Sequence, residues 1–407
     1  MAMKTEPIET VVRRKLDRAR LVDIHTHLYD PAIGRILLWG IDELLTYHYL
    51  VAETFRCLPN LSYRTFWKMS KVQQSDLVWR ELFVRRSPVS EATRGVLTVL
   101  RRLGLDANVP TPAPLRRYFA ARTARGYVDQ VLKLAGIRHL YMTNDPLDPL
   151  ERPFWIRGFE RDPRFRAALR LDSALMKWPE PVPKLRALGY DVEEALSGQT
   201  MTALRKYLND WCRRMRARYL AISLPPTFQY PENSPLIMCF KHAVLPVARE
   251  RGIPLALMIG VNKLVNPDLQ LAGDSVGPAD VGAVERLALD YPDVRMLVTT
   301  LARENTHALC IAARKFRNIT PFGCWWFLNN PSLIREITAM RVETLGLSFI
   351  PQHSDCRVLD QLVYKWDHSR RIIGAVLAEK YGDLAATGWR VTPAAIRRDI
   401  ALLFPDI

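Results

Sequence analysis

Short runs rich in β-branched and aromatic residues alternate along this chain with longer stretches whose apolar positions recur at helical spacing. A basic helical stretch near residues 8–20 leads into the first run, Leu21 to His25. Seven more follow: Ile137 to Asn144, Phe165 to Arg170, Tyr219 to Leu224, Ile253 to Ile259, Val294 to Thr300, Ile319 to Trp325 and Leu347 to His353. A helix is expected over 40–53, and others at about 184–217, 235–251, 279–290, 303–316, 331–345 and 358–381. The helix at 331 has a clear start signal, Asn330 as N-cap and Pro331 at the first helical position. Pro254, Pro321 and Pro351 lie early in their runs, where a missing backbone donor is most tolerable.

Eight strands alternating with helices predict an α/β fold, a (β/α)8 TIM-type barrel. Residues 55–130 show helical patterns and proline-rich breaks but no convincing strand, which predicts an α-helical insertion after the first strand. The expected organisation is an N-terminal helix and the start of the barrel over 1–54, the insertion over 55–130, and the rest of the barrel over 131–407. An open doubly wound sheet is the alternative, but no Gly-x-Gly-x-x-Gly turn supports it.

In a barrel the C-terminal strand ends converge on one mouth. Those ends carry His25 and His27, Asn144 and Asp145, Arg170 and Asp172, Ser223, Met258, Thr299 and Thr300, Trp325 and Trp326, and Asp355 with Arg357. Histidines at i and i+2 of a strand share a face. Strands one and eight pair when a barrel closes, which brings Asp355 to His25 and His27 as a three-ligand site for a divalent ion. The competing readings are structural: a hydrogen-bonded histidine pair, Asp355 as an N-cap, and ion pairs of the arginines with Asp172 or Asp145.

Composition narrows the function. The formal net charge is +16 and asks for an anionic partner. Basic residues are scattered, as in Val12-Val-Arg-Arg-Lys-Leu-Asp-Arg-Ala-Arg20, with no nucleic-acid module, so a small acidic substrate fits and specific nucleic-acid binding is not expected. Six well-separated cysteines argue for reduced thiols in a cytoplasmic protein and against a structural zinc site. The N-terminus has no apolar signal core and no run is long enough to span a membrane.

Six motifs occur in order between about 21 and 372: Asp23-Ile-His-Thr-His-Leu28, His48-Tyr49, Thr143-Asn-Asp-Pro-Leu-Asp-Pro-Leu150, Arg170-Leu-Asp172, Gly323-Cys-Trp-Trp-Phe327 and Ser354-Asp-Cys-Arg357. With them the chain resembles the uronate (glucuronate) isomerase family of the amidohydrolase superfamily. It departs from the family at Met258, where a fifth-strand histidine is usual, at Asn144, and at His353-Ser354.

The resemblance implies an aldose–ketose isomerase acting on a glucuronate- or galacturonate-like sugar through a cis-enediol. The same superfamily suggests a metal-dependent hydrolase or decarboxylase as the alternative. Implied metal ligands are His25, His27 and Asp355, for Zn²⁺ first and Mn²⁺ second. Asp355, Tyr49 and His48 are the implied catalytic residues. Arg170, Arg357, Trp325 and Asp145 are candidates for the substrate pocket. Trp325 and Trp326 should face opposite sides, Trp325 toward the mouth. Cys356, His139, His242 and His307 read as structural, and a homo-oligomer is compatible with the sequence.

Overall fold

A computed structural model describes residues 6–407. Seven parallel strands form one curled sheet: β1 Leu21–Thr26, β2 Ile137–Asn144, β3 Phe165–Arg170, β4 Leu220–Leu224, β5 Leu255–Ile259, β6 Met296–Thr300 and β7 Ile319–Pro321. Their order in the sheet is their order in the chain, so each pairs with the next and helices pack outside.

The strand register explains the two-layered core. Along β5, Leu255, Leu257 and Ile259 pack against the helices, while Ala256 and Met258 face the concave side. The same alternation runs through β4 and β6. On the concave side the small residues Ala168, Ala221 and Ala256 leave room for the rings of Tyr141, Tyr219 and Phe322. The N-terminal end is closed by the C-terminal tail, where Asp406 accepts from Arg166, from His139 at 3.0 Å and from the Tyr141 hydroxyl at 2.6 Å. His139 is thus structural, as expected.

Three expectations about the elements change. The helix expected at about 184–217 is two helices, Val182–Ala187 and Gly198–Met215, separated by an irregular loop. The eighth run is not a strand. Pro351 cannot donate, and the Gln352 side chain takes up the Cys324 and His353 amides at 2.9 and 3.1 Å, replacing a ladder. The segment nevertheless bonds to both edges of the sheet: Ile350 N to Pro321 O at 3.0 Å, Asp355 N to His25 O at 3.1 Å and His27 N to Cys356 O at 2.7 Å. The helix expected over 40–53 is broken into Ile41–Leu45 and His48–Cys57 by extended backbone at Tyr47. His48 therefore opens a helix instead of lying inside one.

Other expectations match. Asn330 Oδ1 accepts from Leu333 N at 3.3 Å and caps the helix Pro331–Leu345. Among the described residues nothing between Thr26 and Ile137 is a strand, and no helix is long and apolar enough to cross a membrane.

Candidate active site at the C-terminal strand ends

β1 runs out at Thr26 with a register irregularity between Asp23 and Thr26, and the two histidines emerge there. Asp23 is fully buried and ties this end to the segment facing it. Its carboxylate accepts from Ser354 N at 3.0 Å and from Trp366 Nε1 at 2.7 Å, on the long helix Gln361–Ala386. Lys365, one residue earlier on that helix and also buried, donates to Ser354 O at 2.7 Å. The turn so held presents Asp355 at φ +52°, a left-handed conformation that costs an ordinary L-residue energy.

Asp355 Oδ1 lies 3.5 Å from His25 Nε2 and 3.2 Å from His27 Nε2. The neighbouring hydrogen bonds fix the tautomers. Thr143 has one hydroxyl proton and donates it to Thr26 O at 3.0 Å, so at 3.1 Å it must accept from His27 Nδ1–H. Tyr219 donates to Ile24 O at 2.6 Å, and its oxygen stands 3.5 Å from His25 Nδ1. With protons on both Nδ1 atoms, both Nε2 lone pairs face a carboxylate oxygen. That arrangement is repulsive unless a cation lies among the three atoms. His25 Nε2 and Asp355 Oδ1 are buried without a hydrogen-bond partner, and the three donor atoms lie within 4.8 Å of one another. Two imidazoles and a carboxylate suit a borderline divalent ion. Met258 sits buried in the concave wall and adds no imidazole.

Electrostatics follow from burial against these neighbours. Burial pushes the Asp355 carboxyl up, but His25 and His27 beside it outweigh burial and hold it well below the ordinary carboxylate range. Burial, with Arg357 beside it, lowers His48 to about 3, so this ring is neutral at neutral pH. Both its nitrogens are buried and unpartnered, as is the Tyr49 hydroxyl, whose pKa burial drives well above 10.0. The His48 ring lies 4.6 Å from that of Tyr49 and 5.8 Å from that of Trp326.

The two arginines differ. Arg170 Nη2 pairs with Asp172 Oδ1 at 3.0 Å, so its structural partner is present. Asp145 is also engaged, accepting from Leu147 N at 2.8 Å and from the Ser173 hydroxyl. Arg357 is half-buried, and no carboxylate approaches its guanidinium within 4.0 Å among the described residues. Asp355 is not the N-cap of the long helix, which begins after Asp360. Trp325 and Trp326 do not face opposite layers. The strand ends at Pro321, a 3-10 turn follows, and both rings join the concave cluster.

Structural comparison places these features. A uronate isomerase from Bacillus halodurans is 50% identical, with a TM-score of 0.96 over 98% of this chain and 94% of that one. The chain belongs to the uronate isomerase family. A uronate isomerase from Thermotoga maritima (16% identity, TM-score 0.77, 99% and 98% coverage) shares the fold. So does a glucuronate isomerase from Caulobacter crescentus (14%, TM-score 0.78, 99% and 94%). No protein-family model and no curated protein matches.

In this uronate isomerase family member some contributors went unassigned by sequence. Asp23, Thr143 and Lys365 orient the site through neighbours, and Asp23 and Thr143 lie inside the motifs. Glu151, six residues past Asp145, accepts from Asp145 N at 2.6 Å, Asn144 Nδ2 at 2.8 Å and Trp155 Nε1 at 3.1 Å. Burial outweighs these donors and raises its carboxyl from 4.5 to about 7. The folded chain then holds a proton that the unfolded chain releases near 4.5, so this contribution to stability is lost as pH rises toward about 7. Its size is roughly 3 kcal/mol. Melting temperature followed from pH 4.5 to 8 should fall across that window in the native chain relative to Glu151→Gln. Parallel curves would refute the assignment.

Proposed function

We propose that this chain is a metal-dependent aldose–ketose isomerase of a hexuronate, with D-glucuronate and D-galacturonate as candidate substrates. The observation that carries the reading is the convergence of two bare imidazole nitrogens on Asp355 beside an unpaired arginine. We read the seven strands with the segment 350–356 as a (β/α)8 barrel, helices 55–130 as an insertion, and 1–54 with 131–407 as the barrel proper.

His25, His27 and Asp355 would hold the ion, Zn²⁺ in preference to Mn²⁺ given two imidazoles. When bound, a divalent ion polarises the substrate's oxygens and offsets the negative charge that grows on them. The remaining work falls to the chain's own groups. Arg357, without a counter-ion among the described residues, takes the substrate carboxylate through its planar fork; Arg170, already paired, lines the pocket with Asp145 and the Trp325 wall. Asp355, ionised at neutral pH, accepts the proton from the carbon next to the carbonyl and returns it to the former carbonyl carbon, while the proton of the adjacent hydroxyl passes to the former carbonyl oxygen through the cis-enediol. Tyr49, held protonated by burial, and neutral His48 donate hydrogen bonds to the sugar oxygens.

Incubation of the pure protein with each uronate, followed by NMR, should show ketose formation. No turnover with or without added zinc or manganese would rule out the hexuronate reading. Arg357→Ala should raise KM roughly tenfold or more, and Arg170→Ala should do less, because only the first removes an uncompensated charge. Equal effects on KM would refute that assignment.

A further inference from the structure

The basic helix near the N-terminus plays no part in the chemistry above. One face of it borders a cleft of about 890 Å³ at the other end of the molecule, where Gly136 precedes the first residue of β2. The helices Ile8–Arg18, Glu91–Leu103, Ala124–Ala135 and Gln361–Ala386 enclose it. Six cationic side chains line it: Arg13, Arg101, Arg102, Lys133, Arg370 and Arg371. Only three carboxylates, Glu9, Asp17 and Asp367, share the lining.

The compensation is incomplete. Arg101 and Arg102 share one carboxylate, Asp367, at 3.5 and 2.6 Å. Arg13, Lys133 and Arg371 are exposed, and among the described residues none has a carboxylate within 4.0 Å. Arg370 is held by carbonyls alone, donating to Leu16 O, to Ala19 O at 3.0 Å, to Ala135 O at 3.2 Å and to Gly136 O at 2.8 Å. A Cβ on Gly136 would stand 2.6 Å from that guanidinium, so the glycine is what lets Arg370 lie there. Burial, and Arg102 and Arg20 nearby, lower its pKa to about 10. The cleft is thus a concave, cation-lined space of ligand size with a fixed guanidinium among its lining groups.

We propose that this cleft binds a multiply charged phosphate compound, an inorganic oligophosphate or the phosphate chain of a nucleotide. Guanidiniums match phosphate oxygens in pairs, and several separated cations favour a chain of phosphates over a single anion. The proposal is independent of the isomerase reading.

Calorimetric titration of the full chain at low salt tests it, with tripolyphosphate, ATP and AMP as probes. Tripolyphosphate should bind, AMP should bind at least tenfold more weakly, and raised salt should weaken both. Arg13→Ala/Arg371→Ala, two exposed changes remote from the strand-end site, should weaken tripolyphosphate binding at least tenfold while leaving uronate turnover and melting temperature unchanged. ATP tighter than tripolyphosphate identifies a nucleotide; equal affinity identifies the phosphate chain alone. No binding by tripolyphosphate or ATP, or binding undiminished in the double variant, overturns the proposal.

Discussion

Asp355→Ala should lower kcat/KM for uronate isomerisation by about 10³-fold or more. This carboxylate has two duties in the proposed chemistry, and both fail together. Among the described residues it is the one carboxylate that meets the two bare Nε2 atoms, at 3.5 and 3.2 Å, and it is the ionised group that moves the proton. Asp355→Asn separates the duties. An amide oxygen keeps some affinity for an ion but accepts no proton, so turnover should fall as far while metal content falls less. Asp355→Asn should melt close to native, because asparagine tolerates the backbone at φ +52° and Oδ1 is unpartnered among the described residues, whereas alanine keeps that strain and should lose some stability. Steady-state kinetics and melting curves on the two variants check this. A variant retaining a tenth of native kcat/KM would mean that the proton travels through another group.

Gly323→Ala carries the largest expected effect on the fold. Gly323 has φ +67°, and a Cβ there would lie 1.9 Å from His353 Cδ2 and 2.3 Å from Nε2. His353 cannot give way easily. It is fully buried, 5.3 Å from the ring of Phe322 and 5.1 Å from that of His25. Backbone strain and overpacking add, and the loss should be about 3 kcal/mol or more. Moving His353 also moves His25, so the variant should lose metal along with stability. Thermal denaturation and metal analysis read both; a melting temperature within about a degree of native would show that the strand-end packing is softer than described.

Much of this was legible in the sequence, for definite reasons. The five runs from Leu21 to Ile259 became strands because buried parallel strands carry near-continuous β-branched and aliphatic residues, a signal that survives without an alignment. The histidine pair and Asp355 came together because chain closure places the ends of the first and last runs side by side. Local pattern misled where side chains replaced backbone. Nothing in Leu347 to His353 announces that the Gln352 carboxamide takes the ladder's place. Nothing around Thr46 announces that the chain turns extended at Tyr47 and so presents His48 to the site from a helix start. Alternation could not sort Trp325 from Trp326 because the strand had already ended. Glu151 escaped notice for a different reason: its role depends on donors from Asn144, Asp145 and Trp155 that only the folded loop assembles.

His25 and His27 turn bare Nε2 atoms toward Asp355, and a divalent ion held among the three would make that arrangement favourable. Elemental analysis of the purified native chain and of His27→Ala, prepared and dialysed side by side, tests this most directly. The native chain should carry about one divalent ion, and the variant should lose most of it while its melting behaviour shows that it is folded. Equal metal content in the two proteins would contradict a metal centre at the strand ends.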